Sequence, residues 1–222
     1  MNSRTPLVVS AAVFAVMLAT SAWAWFQLPP GTPIPIHWGI DGQADGFAHG
    51  RYALFVIPFM TALITIVFWG IPAIEPRRLN LVASSKFYRA AWTGAILLLA
   101  LTHGVALYAA LHAGLRVGSV ILAAVCLLLI VIGNYMGKTR SMFLGGVRTP
   151  WTLSSEYSWQ RTNSLAGKMF VAAGAVGFAA AVALPGREAS HVFLTAIAAA
   201  IVLSIVASYV YWRRDPERSP QP

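Results

Sequence analysis

VGSVILAAVCLLLIVIGNYMG, residues 117–137, carries no charged side chain anywhere between Arg116 and Lys138. As an α-helix it spans about 31 Å, matching a bilayer hydrocarbon core of roughly 30 Å. A helix on the surface of a soluble protein keeps a polar face for water, and this stretch has none. Five others resemble it: Leu7 to Phe26, Tyr52 to Ile74, Ala90 to Ala113, Met169 to Gly186 and Ala189 to Trp212. A Lys, Arg or Asp at mid-span costs about 2.5 to 3.5 kcal/mol on insertion scales, so exclusion of charge from all six is one coherent signal. The 222-residue chain is 58% hydrophobic and 10% charged, with a mean hydropathy of +0.67. The expected fold is an all-α integral membrane protein, a six-helix transmembrane bundle.

Charge placement sets the expected orientation. Arg4, Arg77, Arg78, Lys86, Arg89, Lys138, Arg140, Arg148, Arg161, Lys168, Arg213, Arg214 and Arg218 fall on the side of the N-terminus, whereas Arg51, Arg116 and Arg187 fall opposite. This positive-inside bias predicts both termini in the cytoplasm of a bacterial inner membrane. It accounts for the net charge of +9 without a nucleic-acid partner. The apolar run after Arg4 exceeds the roughly 7 to 15 residues of a secretory signal, so it reads as a retained anchor. Trp23, Trp25, Trp69, Trp92, Trp151 and Trp212 lie near span ends, where amphipathic rings favour the headgroup layer. The lone Cys126 excludes an intramolecular disulfide.

The spans divide the chain into a first hairpin of helices over 1–74, an inner loop 75–89, a four-helix region 90–212, and a tail 213–222. Short outer connections are expected at Gly114 to Arg116 and Arg187 to Glu188. In lipid, close helix packing depends on small residues. Gly133 and Gly137 form a GxxxG pair, and Ala173, Gly177 and Ala181 a small stripe, both read as packing within one chain.

Two loops are long enough to carry function. The outer loop, Gln27 to Arg51, begins QLPPGTPIPIHWGIDGQADGF. Pro29, Pro30, Pro33 and Pro35 restrict it to extended or turn conformations, and Asp41-Gly42 and Asp45-Gly46 are turn dipeptides. It reads as a shaped element, either a recognition surface presenting His37 and Trp38 or a lid over the bundle. The inner loop, Lys138 to Lys168, has Thr149 before Pro150, the pattern of a helix cap with proline at the first helical position. Glu156 is placed to pair with Arg148 or a neighbouring base. A short interfacial helix is expected there, with Trp151, Tyr157 and Trp159 in the headgroups and Lys138, Arg140, Arg148 and Arg161 meeting anionic lipid.

The run Gly133-Asn134-Tyr135-Met136-Gly137-Lys138, then Arg148-Thr149-Pro150-Trp151-Thr152-Leu153-Ser154-Ser155-Glu156, Trp159 and Ala166-Gly167-Lys168, resembles the signature of the SdpI family of bacterial membrane proteins. The outer loop, with Pro35-Ile36-His37-Trp38, Gly42 and Asp45-Gly46-Phe47, is similar to the extracytoplasmic domain of unknown function found in longer members. One departure is Ser141-Met142, where a Pro-Asn pair is expected after Arg140. The resemblance implies immunity: a non-enzymatic protein that binds a secreted peptide toxin and, when bound, holds a transcriptional repressor at the membrane. Under that implication the outer loop supplies the recognition candidates, with Trp38 as apolar anchor, His37 as polar contact, and Asp41 and Asp45 beside them. The cytoplasmic motif, Asn134, Lys138, Arg140, Arg148, Thr149, Pro150, Trp151, Glu156 and Trp159, is then the signalling side.

No catalytic triad, phosphate loop or Cys/His metal spacing appears in the sequence, and no cofactor is implied. His37, His49, His103, His112 and His191 all fall in the outer half, but none forms an HxxxH or HxH pair. His103 is the only ionisable side chain deep in a span, either a functional group or a neutral imidazole bonded inside the bundle. The alternative function is a transporter with a polar route past Thr102, His103 and Asn134.

Overall fold

The computed structural model describes residues 3–112 and 116–217. Ala113, Gly114 and Arg218, all used in the sequence reading, lie outside the described residues. Six helices are long and apolar enough to cross a membrane. They are α1 (Arg4–Gln27), α2 (Val56–Ile74, preceded by a 3-10 turn at Arg51–Phe55), α4 (Ser85–Leu111), α5 (Val117–Met136), α7 (Glu156–Ala183) and α8 (Gly186–Arg213). Two short helices, α3 (Arg78–Ala83) and α6 (Pro150–Ser154), lie between spans. The helices alternate in direction, so the 27–51 segment and the α7–α8 turn share one end of the bundle. Residues 75–84 and 138–155 share the other.

The 27–51 segment, expected as a Pro-braced loop on this six-helix bundle, forms an antiparallel hairpin of β1 (Pro33–Trp38) and β2 (Ala44–His49). Proline is tolerated because a two-stranded ladder consists only of edges, where a missing N–H faces outward. Pro33 pairs with His49, Ile34 with Ala48 and Pro35 with Phe47, and irregularities on either side of His37 bend the strand. The turn closes through Gly39 N donating to Gln43 O at 2.8 Å and Gln43 N donating to Asp41 Oδ1 at 3.0 Å. Gly42, at φ +78°, takes the left-handed conformation that the turn requires.

A correction to the expected 138–168 loop concerns α7, which starts at Glu156 and not near Met169. Ser155 caps it by accepting from Ser158 N at 2.9 Å. The 28-residue helix is about 42 Å long, so roughly 12 Å extends beyond a hydrocarbon core. Hydropathy marks where the charges stop, and polar residues continue the same helix past that point. The loop proper is therefore 138–149, followed by α6. The turn before α8 is likewise Leu184 and Pro185, with Arg187 and Glu188 already inside the helix.

Helices α5 and α7 meet backbone to backbone. A Cβ on Gly133 would sit 2.6 Å from Gly167 O, and one on Gly174 would sit 2.7 Å from Cys126 O. The GxxxG pair thus packs within the chain, as expected, with Gly167 opposite Gly133 and Ser164 opposite Gly137. Elsewhere the core is aromatic. Trp92, expected in the headgroup layer, is fully buried, stacks on Phe68 at 5.8 Å and donates from Nε1 to Ser10 Oγ at 3.1 Å. Satisfying the indole N–H inside the bundle removes the reason for it to seek the interface.

Candidate functional site

At the hairpin end, Ile34 packs with Ala24, Leu28, Ala53, Leu54 and Leu107, so one face of the hairpin closes over the ends of α1, the 3-10 turn and α4. The turn rests on the rest of the bundle through backbone. Gly42 lies against Gly118 at the start of α5, and Asp41 O lies against Gly186 at the start of α8. Among the recognition candidates, His37 Nδ1 and Asp45 Oδ1 meet at 2.5 Å across the strands, with both side chains more than half exposed. Asp41 is committed to the turn. Trp38 is half-buried. The apolar side chains that stand out are Ile36, Ile40 and Phe47, each about half exposed. The irregular pairing around His37 decides which strand side chains face outward.

At the opposite end the 138–149 loop is held by groups that the sequence reading passed over. Glu75, the residue after α2, is only 1% exposed. Its carboxylate accepts from Arg77 N at 3.0 Å, from Phe143 N at 3.1 Å and from Leu144 N at 2.9 Å. Arg77 donates to Ser141 Oγ and, at 2.9 Å, to Leu153 O, while its guanidinium lies 5.0 Å over the Phe143 ring. Asn80 Nδ2 donates to Ser141 O at 2.7 Å, and Arg140 N donates to Ser84 Oγ at 2.9 Å. Met142 fills the core with Leu81, Tyr88, Trp92, Ile96 and Trp159. The Ser141-Met142 departure is thus central here: a hydroxyl that receives Arg77, and a flexible apolar plug.

The expected cap is present. Thr149 accepts from Thr152 N at 3.2 Å, Thr149 N donates to Thr152 Oγ1 at 2.9 Å, and Pro150 opens α6. Trp151 packs edge-on to Tyr209 of α8 at 5.1 Å. Glu156 pairs with Arg140 at 3.6 Å, a half-exposed contact. Arg148 does not join it and instead donates to Phe143 O. Trp159 is a clear correction. Expected in the headgroups, it is fully buried and donates from Nε1 to Thr139 O at 3.0 Å. Beside it, buried Asn163 accepts from Val147 N at 2.8 Å and donates to Trp159 O at 3.0 Å. Asn134 and Lys138 stay exposed on α5 and its end, apart from this cluster.

His103 lies inside the bundle among hydroxyl groups. It is 3% exposed, with Nε2 3.3 Å from Ser21 Oγ and 3.4 Å from Thr20 Oγ1, and Ser21 donates onward to Leu54 O at 2.7 Å. Among the described residues no three His, Cys, Asp or Glu side chains gather as a metal-holding group.

A backbone-seated hairpin at one end, a carboxylate-latched loop at the other and six apolar helices between them define a multi-pass helical membrane protein with structured elements at both faces. Residues 138–211 match the SdpI/YfhL protein family. Residues 12–62, covering most of α1, the hairpin and the start of α2, match DUF1648, a domain of unknown function. The chain is 25% identical over 210 residues to the Immunity protein SdpI of Bacillus subtilis (strain 168), an alignment covering 93% of this chain and 96% of that one. No solved structure matches it.

Proposed function

We propose that this chain is an immunity and signalling protein of a bacterial inner membrane. In this reading both termini are cytoplasmic, the hairpin binds a secreted peptide toxin outside, and the latched loop holds a cytoplasmic repressor when toxin is bound. The observation that carries it is the hairpin. Ile36, Ile40 and Phe47 are exposed on an element whose placement the turn and Ile34 have already fixed, in a chain similar from end to end to an immunity protein. A pre-organised surface loses little entropy on binding, so exposed apolar side chains contribute more of their burial energy to affinity.

The transporter reading draws less support. His103 is enclosed by Ser21 and Thr20, and Asn134 faces away from the bundle interior, so the three residues of the supposed route line no common path. Expression in a host killed by a secreted peptide toxin tests the proposal. Survival that is lost when Ile36 and Phe47 are both replaced by Ser, at equal membrane abundance, is the expected result. Unprotected cells carrying abundant wild-type protein refute it.

A further inference from the structure

The glycine seam between α5 and α7 leaves a notch on the outside of the bundle. With no side chain on Gly133, Gly137 or Gly167, the floor is backbone, and a groove of about 380 Å³ opens at the loop end. Lys138, Lys168, Asn134 and Ser164 line it. Both lysines are exposed, and neither has a carboxylate within ion-pair distance. Glu156, the acid at the start of α7, pairs with Arg140 instead. The Asn134 amide and the Ser164 hydroxyl form no hydrogen bond within the described residues, and Lys138 has only the Tyr135 ring near it, at 5.9 Å. Four side chains with donor groups therefore line one groove that holds no carboxylate.

The depth of the groove in the membrane selects the acceptor. Lys138 is the first charged residue after the apolar run of α5, and Lys168 is the last before that of α7. Both ammonium groups stand where hydrocarbon gives way to headgroups. Val171, one turn deeper, adds an apolar wall. We infer that this groove holds the headgroup phosphate of an anionic phospholipid, with Lys138 and Lys168 as its charge partners and Asn134 and Ser164 as neutral donors. The requirement for net negative charge follows from two uncompensated cations, since a phosphocholine headgroup brings its own ammonium. The inference rests on the membrane placement alone and is independent of the toxin reading.

The test uses the full chain in mild detergent, with lipid adducts counted by native mass spectrometry as phosphatidylglycerol, phosphatidylcholine or inorganic phosphate is added. At about fivefold per lysine, Lys138→Gln combined with Lys168→Gln weakens phosphatidylglycerol binding about 25-fold. Asn134→Leu, an exposed change that leaves both charges, weakens it about fivefold. Lys86→Gln with Arg89→Gln, the same charge change on α4 at the same end, alters it less than twofold. Equal loss in that control pair overturns the site in favour of general surface attraction. So does undiminished binding in the groove variant, or phosphatidylcholine binding as tightly as phosphatidylglycerol. Displacement of the lipid by millimolar inorganic phosphate overturns the assignment to a phospholipid and makes the ligand a soluble anion.

Discussion

Replacing Glu75 by Ala removes the acceptor for three backbone amides at once, those of Arg77, Phe143 and Leu144. A buried donor left without a partner costs about 1 to 3 kcal/mol, and bonds to a charged acceptor lie at the upper end. Water reaching the vacated space and local relaxation at Phe143 and Leu144 offset part of that sum. The expected net local loss is about 3 kcal/mol, well short of three full penalties. Because about 1.4 kcal/mol is tenfold, amide exchange at Phe143 and Leu144 should accelerate about a hundredfold, while the α5–α7 seam keeps its protection. Hydrogen exchange with mass spectrometry on purified Glu75→Ala reads this directly. Glu75→Gln, which keeps one carbonyl but turns an amide NH2 toward donors, should fall between the two. Unchanged exchange at Phe143 and Leu144 in Glu75→Ala would refute the latch and leave Met142 burial as the force that holds the loop.

Gly146→Ala places a methyl group at φ +82°, 2.7 Å from Asn163 Oδ1 and 3.0 Å from the Trp159 ring. It should cost about 1 to 3 kcal/mol and lower the thermal midpoint, and an unchanged midpoint contradicts the packing described. Gly133→Ala drives Cβ toward Gly167 O at 2.6 Å. It should destabilise by about 1 to 3 kcal/mol, whereas Gly70→Ala, where no atom lies within 4 Å, should be neutral in the same melting assay. Topology is checked in a Cys126→Ala background. Gln43→Cys is expected to react with an impermeant thiol reagent in intact cells and Ser154→Cys only after lysis, and reversed labelling inverts the orientation. On the hairpin, Ile36→Ser should impair protection from toxin more than Trp38→Ala does, because Trp38 is already half-buried; the opposite ranking returns the anchor to Trp38.

The spans were legible because lipid imposes one rule on about twenty residues at a time, and Val117 to Gly137 obeys it without exception. The Thr149-Pro150 cap was legible for a similar reason, since both of its residues act on their own neighbourhood. What escaped depends on partners distant in sequence. Trp159 and Trp92 look like interfacial tryptophans until Thr139 O and Ser10 Oγ are seen to take their N–H groups. Glu75 looked like an ordinary loop charge because its donors lie 68 and 69 positions away. A faint signal existed: with only 7 acidic residues in the chain, a carboxylate set apart beside Arg77 and Arg78 asks for a specific reason. The hairpin strands were half legible. The prolines foretold extended backbone, but which side chains face out depends on the irregular pairing around His37.

The hairpin turn touches the bundle at Gly42, Gly118, Asp41 O and Gly186, all of them glycines or a main-chain atom. The seat of the turn is therefore made by main chain, with Ile34 holding the strand behind it, while Ile36, Ile40 and Phe47 stand outside both contacts. Substitution at those three positions leaves the angle and height of the hairpin untouched. Under the proposed immunity role, a lineage facing a changed peptide can alter what it grips one side chain at a time without re-solving how the grip is mounted.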